Sequence, residues 1–266
     1  MRQPAVNIGI KAARQAGHIL IRMLRRLESL PVTEKDHNDV VTEADLAAER
    51  AIIEEIRRMH PEYGFLAEES GAIGDQSTRW IIDPLDGTKN FIMGIPHFAV
   101  SLALQINGVI EHGIVYDPLR EELFTASRGG GAYLNDHRIR ASNRRSLPGA
   151  MLATGFPFRQ KQHLPTYLNT FSALFAEASD VRRAGSAALD LAYVAAGRLD
   201  GFWEIGLNAW DMAAGVLLIQ EAGGACFDFS GRDGFLESGN IIAGNLKVAV
   251  AMHRKIAPHL VEGLKR

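Results

Sequence analysis

Two apolar runs, 98–106 and 109–116, flank the dipeptide Asn107-Gly108, and this arrangement restricts the fold more than any other stretch of the chain. Asn-Gly accepts the positive backbone angles of a two-residue turn, so the two runs must return on one another as neighbouring antiparallel strands. Strand-like segments at 122–126 and 132–134 extend the same pattern. They flank Arg128-Gly129-Gly130-Gly131, which lacks the spacing and the lysine of a nucleotide-binding loop and reads as turn chemistry. Upstream, Gly64-Phe65-Leu66-Ala67 reads as a short strand, and a central strand begins at Arg79.

Helical signals lie at the start. Ile8, Ala12, Ala16, Ile19, Leu20, Met23 and Leu27 recur at three- and four-residue steps, which predicts an amphipathic helix over 4–30 that Pro31 ends. The polar segment Thr33–Asp39 reads as a loop, as does the run from Ser70 to Thr78. Thr42-Glu43-Ala44-Asp45 opens a second helix with acids in its first turn, where Asp45 can serve as part of the cap. Beyond about residue 145 the rhythm changes to short strands at 151–154, 181–183, 201–204, 225–229 and 241–243, most of them separated by helical stretches. An antiparallel half over 1–145 therefore joins a more α/β half over 146–266. With 266 residues, 47% of them apolar, and no low-complexity linker, the two are expected to form one compact unit.

The 29 basic and 31 acidic residues nearly cancel, so composition gives neither a nucleic-acid footprint nor a polybasic anchor. No apolar run is long enough to span a bilayer, and the basic residues of the first thirty break any leader pattern. A cytoplasmic protein with no membrane partner is expected. Cys226, the single cysteine, sits in an apolar run and reads as a small core residue.

The chemistry gathers at Trp80-Ile81-Ile82-Asp83-Pro84-Leu85-Asp86-Gly87-Thr88-Lys89-Asn90-Phe91. A buried strand leads into Asp83, and Pro84 and Gly87 are expected to turn the chain there. Two carboxylates three residues apart repel unless a cation lies between them, and hard oxygen donors suit Mg2+ or Mn2+. A helix beginning at Gly87-Thr88 would aim free N–H groups at a phosphate beside that cation. Taken alone, Asp-x-x-Asp-Gly is more often a surface turn than a metal site. Glu68-Glu69 upstream and Asp211, at the start of a helical run, supply the further acids. Asp211 can also be an N-cap, Glu204 an exposed strand end, and Arg182 or Arg183 an ordinary surface charge.

Asp83–Phe91 resembles the first signature of the inositol monophosphatase family, and Trp210-Asp211-Met212-Ala213-Ala214-Gly215 with Glu221-Ala222-Gly223-Gly224 resembles the second. The likeness runs from about Lys35 to Gly244 and is closest to bacterial inositol-1-monophosphatases. It implies a layered α/β (α+β) sandwich of alternating helix and sheet layers, the sugar-phosphatase fold. It also implies Mg2+-dependent hydrolysis of a small phosphate ester, foremost myo-inositol 1-phosphate, with two or three ions per site and sensitivity to lithium. By the same resemblance, Glu68, Asp83 and the Leu85 carbonyl hold one ion, and Asp83, Asp86 and Asp211 a second. Glu68 and Thr88 activate water, Asp45 orients Thr88, and the Gly87 and Thr88 amides take the phosphate. Glu68, Leu85 and Asp86 border the substrate, while Arg182, Gly185, Ser186, Glu204 and Asp211 meet its hydroxyls. Lys35 is a helper, and Lys89 stands where many bacterial relatives carry threonine.

The resemblance further implies a homodimer. It leaves open other phosphatases of the group, acting on histidinol phosphate, fructose 1,6-bisphosphate or adenosine bisphosphate, and a regulatory role with transcription or ribosome partners. A phosphoaspartate enzyme of the haloacid dehalogenase type would need Asp-x-Asp-Gly-Thr. The two-residue gap between Asp83 and Asp86 departs from that pattern.

Overall fold

The computed structural model describes residues 4–27, 32–36 and 39–265, with the backbone alone described for 32–36 and 39–41. The first half runs α1 (Pro4–Leu24), β1 (Val32–Asp36), β2 (Asp39–Thr42), α2 (Glu43–Met59), β3 (Gly64–Ala67), β4 (Gly71–Ile73), β5 (Thr78–Asp86) and α3 (Thr88–Ile92). It continues through β6 (Ala99–Ile106), β7 (Val109–Asp117), β8 (Glu122–Ser127), β9 (Gly131–Leu134) and β10 (His137–Arg138). The second half comprises β11 (Met151–Thr154), α4 (Leu164–Phe175), β12 (Asp180–Arg182), α5 (Ala187–Ala195), β13 (Gly201–Glu204), α6 (Ala209–Glu221), β14 (Ala225–Phe227), α7 (Phe235–Ser238), β15 (Ile241–Gly244) and α8 (Leu246–Ile256).

Asn107 and Gly108 both take positive φ, 49° and 81°, and Ile106 pairs with Val109 across them. That hairpin is the middle of an eight-stranded sheet ordered β10-β9-β8-β7-β6-β5-β3-β4, in which only the β3–β5 pair is parallel. The second sheet, ordered β12-β11-β13-β15-β14, is parallel from β12 to β13 and antiparallel beyond.

Period-two alternation assigns the faces. On β5, β6 and β7, Trp80, Ile82, Leu102, Leu104 and Ile114 join one core with α1 and α2. Their neighbours Ile81, Ala103 and Val115 join another with α5 and α6. That second core also takes Ala153, Phe202, Ile241 and Ala243 from the smaller sheet, so the α5–α6 layer is buried between two sheets. Leu152, Trp203 and Ile242 face the far side, where α4 and α8 close a third core. The order is thus helices, sheet, helices, sheet, helices, the alternating-layer sandwich expected.

Gly113 of β7 marks how closely α6 approaches: a Cβ there would lie 2.8 Å from the Ala214 carbonyl oxygen. A carbonyl fixed in a helix cannot retreat cheaply. Gly113→Ala is therefore expected to destabilise the protein by about 1–3 kcal/mol, the usual range for overpacking. Urea unfolding with an unchanged m-value would measure it, and an unchanged midpoint would refute the tight contact.

Three segments depart from the sequence reading. The first helix stops at Leu24, short of Pro31. Thr33–Asp39 pairs as the antiparallel ribbon β1–β2 instead of forming a loop, apart from residues 37–38, which lie outside the described residues. A two-stranded ribbon needs no apolar alternation, so hydropathy gives no sign of it. Within Ser70–Thr78, Gly71–Ile73 adds the edge strand β4. Cys226 is buried, and its surroundings push the thiol above its ordinary range.

Candidate active site

The turn expected at Asp83 is instead an irregularity inside a strand. β5 continues through Pro84 to Asp86, but its register against β6 slips: Asp83 pairs with Ser101 and Asp86 with Ala99. On a regular strand, residues three apart point to opposite faces. One extra residue between the paired positions reverses that parity and brings both carboxylates to one side. Each is then held by a local bond. The Leu85 amide donates to Asp83 Oδ1 at 3.0 Å, while Ser186 Oγ (2.5 Å) and the Ala188 amide (2.7 Å) donate to Asp86 Oδ2.

Asp211 arrives from the second half. It is the third residue of α6, and Asn208 is the N-cap, which corrects the alternative reading of Asp211 as the cap itself. The Asn208 amide donates to Asp211 Oδ2 at 2.6 Å, fixing the carboxylate over the helix start. Asp83, Asp86 and Asp211 each present an oxygen within 4.8 Å of the others. Glu68, one residue past β3, lines the same cleft, as do Leu85, Gly87, Thr88, Gly185, Ser186 and Glu204.

Asp45 connects to this group from α2. It accepts from the Thr42 amide (2.8 Å) and hydroxyl (2.5 Å) in a capping box, and its other oxygen accepts from Thr88 Oγ1 at 3.2 Å. Thr88 Oγ1 also lies 3.1 Å from the Leu85 carbonyl. A hydroxyl has one proton, so with either acceptor engaged its lone pairs remain to receive a hydrogen bond. Gly87, at φ 100°, is the N-cap of α3, whose single turn begins at Thr88.

Burial lifts Asp83 well above the usual carboxylate range, and repulsion from Glu68, Asp86 and Asp211 lifts it further. Burial also raises Asp86, against the opposing bonds from Ser186 and Ala188. Glu204 is raised well above its ordinary value by burial, then by Asp211 and Asp190. Acids crowded out of water in this way, with Asp83, Asp86 and Asp211 within reach of one another, make a site that favours a cation, and all-oxygen donors favour a hard one.

Arg182 does not line the cleft. It is exposed, and its guanidinium pairs with Asp180 at 2.5 Å, while Arg183, the next residue, faces the cleft and offsets the charge on Glu204. The resemblance places Arg182 at the polyol; that residue ends β12, and Arg183 follows just beyond the strand. The side chain of Lys35 lies outside the described residues. Lys89 is at the cleft, its Nζ 4.3 Å from the centre of the Phe158 ring.

Several residues of the cleft escaped the sequence reading. Asp190 lies buried in α5, and burial followed by Asp86 raises it well above the usual range. A lone acid within Ala187–Ala195, an otherwise apolar helical run apart from Tyr193, was the available signal. Gly155 is where the Glu204 carboxylate rests; a Cβ there would meet Oε1 at 2.0 Å. Arg159 reaches in from the irregular segment after β11, and nothing local in its sequence marks it.

A model of the inositol monophosphatase family matches residues 1–265. The chain is 53% identical to a Pseudomonas aeruginosa protein named Nus factor SuhB, across 99% of this chain and 100% of that one. Its structure superposes on that of the extragenic suppressor protein suhB from Bartonella henselae with a TM-score of 0.93 and 47% identity, covering 96% and 98% of the two chains. An inositol monophosphatase from Anabaena superposes at 0.85 with 39% identity, covering 95% and 94%.

Proposed function

Because the chain belongs to the inositol monophosphatase family, we propose that it hydrolyses a phosphate monoester, foremost myo-inositol 1-phosphate, by attack of water at phosphorus beside Mg2+. The observation that carries this reading is the meeting of Asp83, Asp86 and Asp211 within 4.8 Å, although Asp211 comes from the other half of the chain. The donor chemistry fits the metal: buried, mutually repelling carboxylates together with the Leu85 carbonyl are hard oxygen ligands. Glu68, Asp83 and Leu85 would hold one ion, and Asp83, Asp86 and Asp211 a second. Bound there, divalent ions supply neutralisation of the phosphate charge and a lowered pKa for water.

The remaining work falls to the chain itself. Thr88, with its proton engaged by Asp45 or Leu85, orients its lone pairs to accept from the attacking water. Glu68, which lines the same cleft, is the group to take the proton. The Gly87 and Thr88 amides offer donors to the phosphate oxygens. At the polyol end, Glu204 accepts from hydroxyls, with Arg183 and not Arg182 as the neighbouring cation. Ser186 holds Asp86 in place, and at Gly185 a Cβ would crowd Arg183 Nη1 at 2.8 Å. The two halves, 1–145 and 146–266, work as one unit with this cleft between them.

Phosphate release from a small panel of esters, with and without Mg2+, tests the reading. Inositol 1-phosphate should lead the panel and release should vanish in EDTA; metal-independent turnover, or none with any ester, would overturn it. A second reading has its own support, since the 53%-identical relative is named a Nus factor. Under it, the same chain also serves transcription through partner contacts that need no catalysis. Location in the cytoplasm and pairing as a homodimer belong to the same proposal.

A further inference from the structure

Arg159 sits on the irregular segment between β11 and the short turn Lys161–His163. Its guanidinium lines the cleft, with Nη2 3.6 Å from Glu68 Oε1 and Nη1 3.8 Å from Asp211 Oδ2. One face of it rests near the Phe158 ring, 4.9 Å from the centre. At these separations the guanidinium forms an ion pair with each of the two acids. Glu68 and Asp211 are only 12% and 8% exposed, and little water screens their charge.

A divalent ion at the cluster would draw on the same two carboxylates. Two cations sharing them repel each other, and binding the ion must push the guanidinium aside or tolerate it nearby. Arg159 stands on non-helical backbone, and its side chain has four rotatable bonds through which its charge can shift. Its charge, unlike that of a histidine or lysine, persists at every working pH.

We propose that Arg159 is a tethered counter-ion of the acidic cluster, competing with divalent cations for Glu68 and Asp211 and so setting the metal concentration at which the site fills. This rests on the metal-site reading given above. In the metal-free protein Arg159 holds the acids together. Once metal occupies them, the freed guanidinium is available to a phosphate at the mouth of the cleft.

The test uses the full chain and Mn2+ alone, with no substrate, followed by titration calorimetry. Arg159→Ala is expected to bind Mn2+ about tenfold more tightly than the native chain, a change of about 1.4 kcal/mol. Arg159→Gln should do the same while retaining polar bulk, and Arg159→Lys, which keeps the charge, should bind nearly as the native chain does. In EDTA, both neutral variants should melt below the native protein. Unchanged or weaker Mn2+ binding in whichever neutral variant folds overturns the proposal. If the native chain itself binds no Mn2+, the metal-site reading falls and takes this one with it.

Discussion

Asp86→Asn is expected to lower metal-dependent phosphate release by roughly 10^3-fold or more, the scale on which removing a key electrostatic group slows such reactions. The change is nearly isosteric. An amide oxygen can still accept from Ser186 Oγ and the Ala188 amide, so the tie between β5 and the start of α5 survives. What disappears is a negative charge among acids that need a cation. In its place an NH2 group faces them and donates where a ligand should accept. Circular dichroism and the melting temperature would show the fold intact, and in EDTA the variant should melt no lower than the native protein, because one repelling charge has gone. Native-level, Mg2+-dependent release from the folded variant would remove the acidic cluster from the chemistry. The same substitution separates the two functional readings: a cell that requires the protein and is fully restored by Asp86→Asn needs its contacts, whereas one that is not restored needs its catalysis.

What could be read from the sequence was mostly local. Asn107-Gly108 forces its own hairpin, and the Thr42–Asp45 capping box closes within one helical turn, so both were visible as patterns. The bond from Thr88 to Asp45 spans 43 positions, and only the family resemblance pointed to it. The slip between Asp83 and Asp86 was misread as a turn, because Pro84 breaks a strand and bulges one with the same lack of an N–H. Arg182 was named from the resemblance alone, whereas the arginine that lines the cleft is Arg183, one residue past the end of β12. Arg159 and Gly155 were invisible for a different reason: they sit on irregular backbone, and their meaning comes wholly from Glu68, Asp211 and Glu204 across the cleft. The layered architecture came with the family resemblance, and the structure gives its reason: strands buried on both faces demand helices on both.

Without divalent metal the protein should lose stability as pH rises, and Mg2+ should abolish that loss. In an unfolded chain an aspartate titrates near its ordinary value of 3.8, whereas burial and the neighbouring acids raise Asp83 well above this in the folded state. Between those two values the folded state binds more protons than the unfolded one, so the slope of unfolding free energy with pH is negative. The stabilisation present below the unfolded value is lost as pH passes through the raised one. Asp190 and Glu204, lifted chiefly by burial, act in the same direction. His97 and His112 act oppositely: burial lowers both, so their contribution grows until pH reaches the ordinary value of 6.5. Those histidines are common to protein with and without metal and cancel in the difference between the two. The quantity to measure is therefore the Mg2+-induced rise in melting temperature at about pH 5 and about pH 8, because a ligand that needs ionised carboxylates must displace protons at the lower pH. At a hundredfold excess over its dissociation constant Mg2+ adds about 2.7 kcal/mol. For a chain of this size that is a rise of roughly 5–10 °C. It should be largest at the higher pH and shrink toward zero at the lower. A rise that is equal at both, or absent at about pH 8, would mean that Asp83, Asp86 and Asp211 meet without a metal to hold.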